Sequence, residues 1–140
     1  MDKIIIKGRP AFKGKAEGEA LVCPNSIQGW AGVSDTTGEI IEKGHVEEGK
    51  NIKDRILVLP GSKGSNGWSG HFHSASVSGF TPAGWIFSQI DSRSGVAAAV
   101  LEIPTIVDFS NDINIFEIIE SGDWIEMDGD TGEVIITKKI

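Results

Sequence analysis

The run Arg55-Ile56-Leu57-Val58-Leu59-Pro60 constrains the fold more than any other stretch of the chain. Four consecutive aliphatic residues, with no polar residue at alternate positions, describe a strand buried on both faces, which requires structure above it and below it. It runs into Gly61 to Ser76, GSKGSNGWSGHFHSAS, a loop of glycines and hydroxyls with one lysine inside. Backbone amides and side-chain oxygens are placed there for the approach of a small anionic ligand.

The rest of the chain supplies the layers that such a strand needs. Ile4 to Lys7 predicts a short strand that breaks at Gly8-Arg9-Pro10, and Phe12 to Val22 a second strand kinked by its glycines. Pro24 to Gly38 is loop-rich, and the turn Asp35-Thr36-Thr37-Gly38 leads into a predicted strand, Glu39 to Glu42, as a hairpin. A helix is expected within Gly67 to Ser78 with Gly79 at its end, then a buried strand over Ala83 to Phe87 and a short helix over Val96 to Leu101. Thr105 to Phe109 follows as strand. Ser110 or Asn111 is placed to cap a helix carrying Ile113, Phe116 and Ile119, ended by Gly122. Asp123 to Asp128 and Glu133 to Thr137 flank Gly129-Asp130-Thr131-Gly132, a hairpin signal. Strands at both ends with strand-helix units between them predict a mixed α/β fold, layered as sheet, sheet and helix, in one domain spanning residues 1–140.

Bulk properties remove several functional classes. A chain of 140 residues buries a core without disulfide or metal staples. Its net charge of -7 opposes binding to phosphate backbones and to anionic membranes, so neither nucleic acid nor membrane is an expected partner. Cys23 is the only cysteine, which excludes an internal disulfide and an iron-sulfur cluster or structural zinc held by this chain's thiols. The N-terminus, MDKIIIK, is too short and too charged for a signal peptide, and the expectation is a soluble, cytoplasmic protein.

The glycine-rich loop does not carry a Walker A pattern, because Asn66 stands where the second glycine is needed and no Gly-Lys-Ser/Thr triplet follows. Its simplest role is a turn whose glycines serve backbone geometry. Ser65 is the chemical candidate, since Lys63 and a helix N-terminus would stabilise an alkoxide or hold a substrate carboxylate beside it. His71 and His73 diverge by about 200° on a helix and make a poor metal pair, and no metal site is expected. Asp91-Ser92-Arg93 reads as a solvated charged turn, with Arg93 as an alternative carboxylate ligand. Asp123, Glu126, Asp128, Asp130 and Glu133 lack calcium-loop spacing and belong to the polar face of a hairpin.

Taken in order, several short motifs resemble the swivel domain, or small subunit, of the aconitase X dehydratases. They are Lys7-Gly8-Arg9-Pro10, Gly14 to Val22, Trp30-Ala31-Gly32-Val33 with Asp35 to Gly38, and His45. Gly49 to Leu59, Lys63-Gly64-Ser65, Gly79 to Ala83 and Ile103-Pro104-Thr105 continue the series. The resemblance implies a swivelling β/β/α domain, with mixed sheets and two or three short helices, packed against an aconitase-like large subunit that carries an iron-sulfur cluster. It implies a hydro-lyase that is inactive alone and dehydrates a small hydroxy acid of the mevalonate 5-phosphate or cis-3-hydroxyproline type. Ser65 is then the catalytic proton-handling group, and Lys63, Gly64, Asn66 and Gly32 bind substrate.

The chain departs from the family pattern at Ser34, where an aspartate is usual, and at Trp68 to His73, where a leucine-rich helix is usual. Ser88 to Arg93 replaces an acidic segment. Ile103 to Val107 and Gly122 to Val134 also resemble the phosphohistidine swivel domains of phosphoenolpyruvate-using enzymes, with His73-Ser74-Ala75 at the histidine position but without the Gly-Gly pair. A phosphohistidine carrier using His71 or His73 and a stand-alone module for small anions are the alternatives.

Overall fold

The computed structural model describes residues 2–27, 32–62 and 68–139, apart from the side chains of Ser69 and Arg93. In chain order the elements are β1 (Lys3–Lys7), β2 (Arg9–Phe12), β3 (Lys15–Val22), β4 (Ile56–Leu59), α1 (Trp68–Val77), β5 (Gly84–Phe87), α2 (Ser92–Leu101), β6 (Thr105–Val107), α3 (Ile115–Ile118), β7 (Trp124–Asp128) and β8 (Glu133–Thr137). The strands pair in the order β1-β8-β7-β3-β4-β5-β6-β2. β3 joins two layers: Lys15 to Glu19 pair antiparallel with β7, and Ala20 to Val22 pair parallel with β4. The antiparallel layer is β1-β8-β7-β3, and the second layer is parallel from β3 through β6, closed by antiparallel β2.

The apolar run Ile56 to Leu59, β4, is the middle of this arrangement. Along β4, Ile56 and Val58 pack with Ile6, Ile125, Met127, Val134 and Ile136 of the antiparallel layer. Leu57 and Leu59 turn the other way, against Trp68 and Phe72 of α1 and Ala97 and Ala98 of α2. The strand's two-residue period divides one apolar run between two cores, and every residue of it is buried. Trp85 and Phe87 face the helices and Ile86 the sheet by the same alternation in β5. The expected mixed α/β fold with sheet, sheet and helix layers is therefore present.

Several local expectations are corrected. The first strand ends at Lys7 as expected, but Arg9-Pro10 is not a loop: the segment forms β2 against β6, where a proline is tolerated because the strand lies at the edge. Phe12 to Val22 is two strands, since Lys13 and Gly14, the latter at φ 117°, interrupt it. Glu39 to Glu42 is not a strand; only isolated bridges, Val33 to Ile40 and Glu39 to Asn51, occur there. The helix expected over Val96 to Leu101 begins at Ser92, because Asp91 caps it. The helix expected after Ser110 shrinks to Ile115–Ile118 with Asn114 as its cap.

Asp123 illustrates how the chain's end is fixed. Its buried carboxylate accepts from Lys138 Nζ at 2.6 Å, from the Lys139 amide at 2.9 Å and from the Glu120 amide at 2.8 Å. Burial pushes its pKa upward, but these bonds and the Lys138 charge outweigh that and hold it below the ordinary carboxylate value of 3.8. A depressed folded pKa gives stability that is complete above the unfolded value and is lost as the pH falls through the folded one. Asp123→Asn is therefore expected to lower stability by about 1–3 kcal/mol at pH 7 and to flatten the acid limb of the profile. Urea midpoints measured from pH 7 down to pH 3 check this; an unchanged acid limb would contradict it.

Candidate functional site at the carboxyl edge of the parallel strands

Because β3, β4, β5 and β6 run parallel, their carboxyl ends and the segments that follow them collect along one edge. The glycine-rich loop leaves the sheet at that edge, after Leu59. Lys63, Gly64, Ser65 and Asn66 lie outside the described residues, so the site is defined by what holds the two ends of their segment.

At the near end, Gly61 and Ser62 are gripped from two sides. The Ser62 amide donates to Asp91 Oδ2 at 2.9 Å, and the Ser62 hydroxyl donates to Asp91 Oδ1 at 2.9 Å. Asp91 Oδ1 also accepts from the Ser94 amide at 2.8 Å and the Ser94 hydroxyl at 3.0 Å, so one carboxylate caps α2 and holds the loop. Burial raises the Asp91 pKa, and the bonds from Ser94 and Ser62 outweigh it, leaving the group below 3.8 and ionised at neutral pH. Gly61 has φ 143°, and a Cβ there would stand 2.8 Å from Asp91 Oδ2, so this approach needs glycine.

On the opposite side, the Ser26 hydroxyl donates to the Gly61 carbonyl. Ser26 sits at φ 61°, and its own carbonyl accepts from His45 Nε2 at 2.8 Å. His45 Nδ1 accepts the Glu47 amide at 2.9 Å, which places the ring proton on Nε2. At the far end, the buried indole of Trp68 donates through Nε1 to the Ile27 carbonyl at 2.8 Å. Ser62 and Trp68 are thus each tied by side-chain hydrogen bonds to a distant segment.

Gly32 is buried, and its carbonyl accepts from the Ile41 and Glu42 amides at 2.7 and 3.2 Å. A role as substrate ligand would thus fall to its amide. His71 and His73 do not converge: His71 is buried and donates to the Val33 carbonyl, whereas His73 is exposed. Ser74 adds a bond to Asp35 at 3.0 Å, so α1 is tied to the segment around Gly32. Among the described residues no three His, Cys, Asp or Glu side chains converge as a metal site. Cys23 is buried, and burial, followed by Glu47 and Glu42, pushes its thiol far above the ordinary value, so the thiolate that a cluster requires is disfavoured. This chain's residues do not fit an iron-sulfur cluster.

Two grooves differ in what they can hold. The larger, about 470 Å³, lies on the outer face of the antiparallel layer among Lys15, Glu17, Glu126, Asp128 and Glu133, where four carboxylates repel an acid substrate. A smaller one, about 240 Å³, is lined by Ser88, Phe109, Asn111, Asn114 and Phe116. The Ser88 hydroxyl donates to the Pro60 carbonyl at 3.4 Å, which puts the smaller groove beside the glycine-rich loop.

Asp91 lies in an exposed turn, as expected, and there it also serves as the cap of α2 and as the partner of Ser62. The pattern Asp91-x-x-Ser94 is a reciprocal cap, with the Asp91 amide donating to Ser94 Oγ at 3.1 Å, and it was visible in the sequence. Its second oxygen's use on Ser62, 29 residues away, was not.

Family comparison decides what this fold is. The description "Aconitase X swivel domain" belongs to a family model that matches residues 5–136. The chain belongs to the aconitase X swivel-domain family. It is 36% identical over 127 residues to the phosphomevalonate dehydratase small subunit of Methanocella arvoryzae, covering 91% of this chain and 95% of that one. It is 30% identical over 98 residues to the cis-3-hydroxy-L-proline dehydratase of Pseudomonas aeruginosa, covering 70% of this chain but 17% of that one. The aconitase X of Thermococcus kodakaraensis, solved in its holo form, superposes with a TM-score of 0.88 at 27% identity over 96% of this chain and 99% of that one. Segments similar to this chain are thus found both as a separate small subunit and as a minor part of a longer dehydratase chain.

Proposed function

We propose that the chain is the small subunit of an aconitase X-type hydro-lyase that dehydrates a small hydroxy acid of the phosphomevalonate or cis-3-hydroxyproline type. One observation carries this reading: 91% of the chain is matched by 95% of a dehydratase small subunit, and 70% of it by 17% of a longer dehydratase. A module that is fused in one relative and separate in another completes its site with the remainder of the enzyme. The chain acts as one domain in the cytoplasm, is inactive by itself, and pairs with an aconitase-like large subunit that holds the iron-sulfur cluster.

Within the shared site, the Ser65 hydroxyl handles the proton that leaves the carbon next to the departing hydroxyl. Lys63 and the amides of Gly64 and Asn66 orient the substrate carboxylate, and Gly32 also binds substrate. The buried thiol of Cys23 explains why the cluster must come from elsewhere. Co-expression with an aconitase-like large subunit tests the proposal. A stable complex with lyase activity, and no activity from either chain alone, is the expected result; failure to associate, or a large subunit fully active alone, would sink it.

A further inference from the structure

We propose that Asp91 is a positioning residue for the loop that carries Ser65, locking the Gly61-Ser62 turn to the N-terminus of α2 and fixing where the loop leaves the sheet. This rests on the assignment of Ser65 above and adds the group that sets its place. Helix capping alone does not account for the geometry. A cap requires one side-chain oxygen on one early amide, which Asp91 provides to Ser94 at 2.8 Å. The same carboxylate takes two further donors, the amide and hydroxyl of Ser62, both at 2.9 Å.

Three features make this a mechanical anchor. The carboxylate is ionised, and charge-assisted hydrogen bonds are about twice as strong as neutral ones. Glycine at position 61 lets the backbone come close, since a Cβ would meet Asp91 Oδ2 at 2.8 Å. The Gly61 carbonyl is held from the other side by Ser26, so the turn cannot pivot away from Asp91 without breaking a second bond. Trp68 fixes the far end on the Ile27 carbonyl. Loss of the Asp91 contact frees Ser62, three residues before Ser65, and a misplacement of about 1 Å at a reacting group costs on the order of 10²-fold in rate.

Asp91→Ser separates anchoring from capping, because serine caps a helix nearly as well as aspartate but has no second oxygen for Ser62. In the full-length chain, hydrogen exchange at the Ser62 amide is expected to accelerate about tenfold or more, with the thermal midpoint close to wild type. In the assembled complex, kcat is expected to fall about tenfold or more while KM stays within about twofold. Ser62→Ala should reduce kcat by less, and adding it to Asp91→Ser should reduce kcat little further, since both act through one contact. Unchanged exchange overturns the anchor. Faster exchange with unchanged kcat, or a fall in kcat matched by a lowered midpoint, overturns the positioning role. An inactive wild-type complex overturns the lyase reading and the catalytic half of this proposal with it, whereas Ser62 exchange still decides whether the anchor exists.

Discussion

Ser65→Ala in the assembled two-subunit complex is expected to lower kcat about 10²- to 10⁴-fold, the range over which a positioned acid or base contributes to rate. The loss should appear equally in kcat and kcat/KM, because an alkoxide that takes up the proton in the transition state, becoming the hydroxyl, contributes little to ground-state binding. Association with the large subunit and thermal stability should be unaffected, since the substitution removes a single hydroxyl from the loop. Steady-state kinetics on the co-purified complex, with either hydroxy acid as substrate, give the answer. A Ser65→Ala complex with full turnover would move the proton-handling group to the partner and leave this loop a binding role only.

The largest structural effect is expected at Trp85. Its ring is buried in β5 and meets Trp68 at 5.6 Å, Phe72 edge-on at 5.7 Å and Phe87 at 5.5 Å, so it joins the central sheet to the helix that follows the glycine-rich loop. Trp85→Ala should cost about 3–5 kcal/mol, from lost apolar burial and the cavity that remains. That is a large part of the roughly 5–15 kcal/mol that stabilises a typical domain. Trp85→Phe should cost far less, about 1–2 kcal/mol, because the indole Nε1 has no hydrogen-bond partner among the described residues and its removal breaks no bond. Urea denaturation of the two variants distinguishes these effects; equal losses would mean that the full indole shape, which phenylalanine does not reproduce, is what the core requires.

Legibility of the site in the sequence varied with the range of the interaction. Ser65 and Lys63 stand out because a glycine- and hydroxyl-rich loop after a buried strand is a local signal. Asp91 and Ser94 form a local capping pattern too, just upstream of the apolar run that begins at Val96. Ser26 and His45 gave no signal for their role. A serine in a turn and a histidine in a polar stretch are unremarkable until the fold brings Ser26 to the Gly61 carbonyl and His45 to the Ser26 carbonyl.

The same division holds for the fold. By itself the sequence determined the layered α/β class, since four adjacent aliphatic residues, Ile56 to Leu59, can be buried only between two cores, and the alternation of Asp123 to Asp128 and Glu133 to Thr137 around a four-residue turn leaves one hairpin register. Tertiary structure alone decided that β3 serves both layers, that Arg9-Pro10 closes the sheet beside β6, and that Glu39 to Glu42 makes bridges without a strand. It also decided that Asp91 holds Ser62. Periodicity and capping act over a few residues and are written in the local sequence, whereas strand pairing and a carboxylate shared between a helix and a distant loop depend on which segments the packed cores bring within about 3 Å of one another.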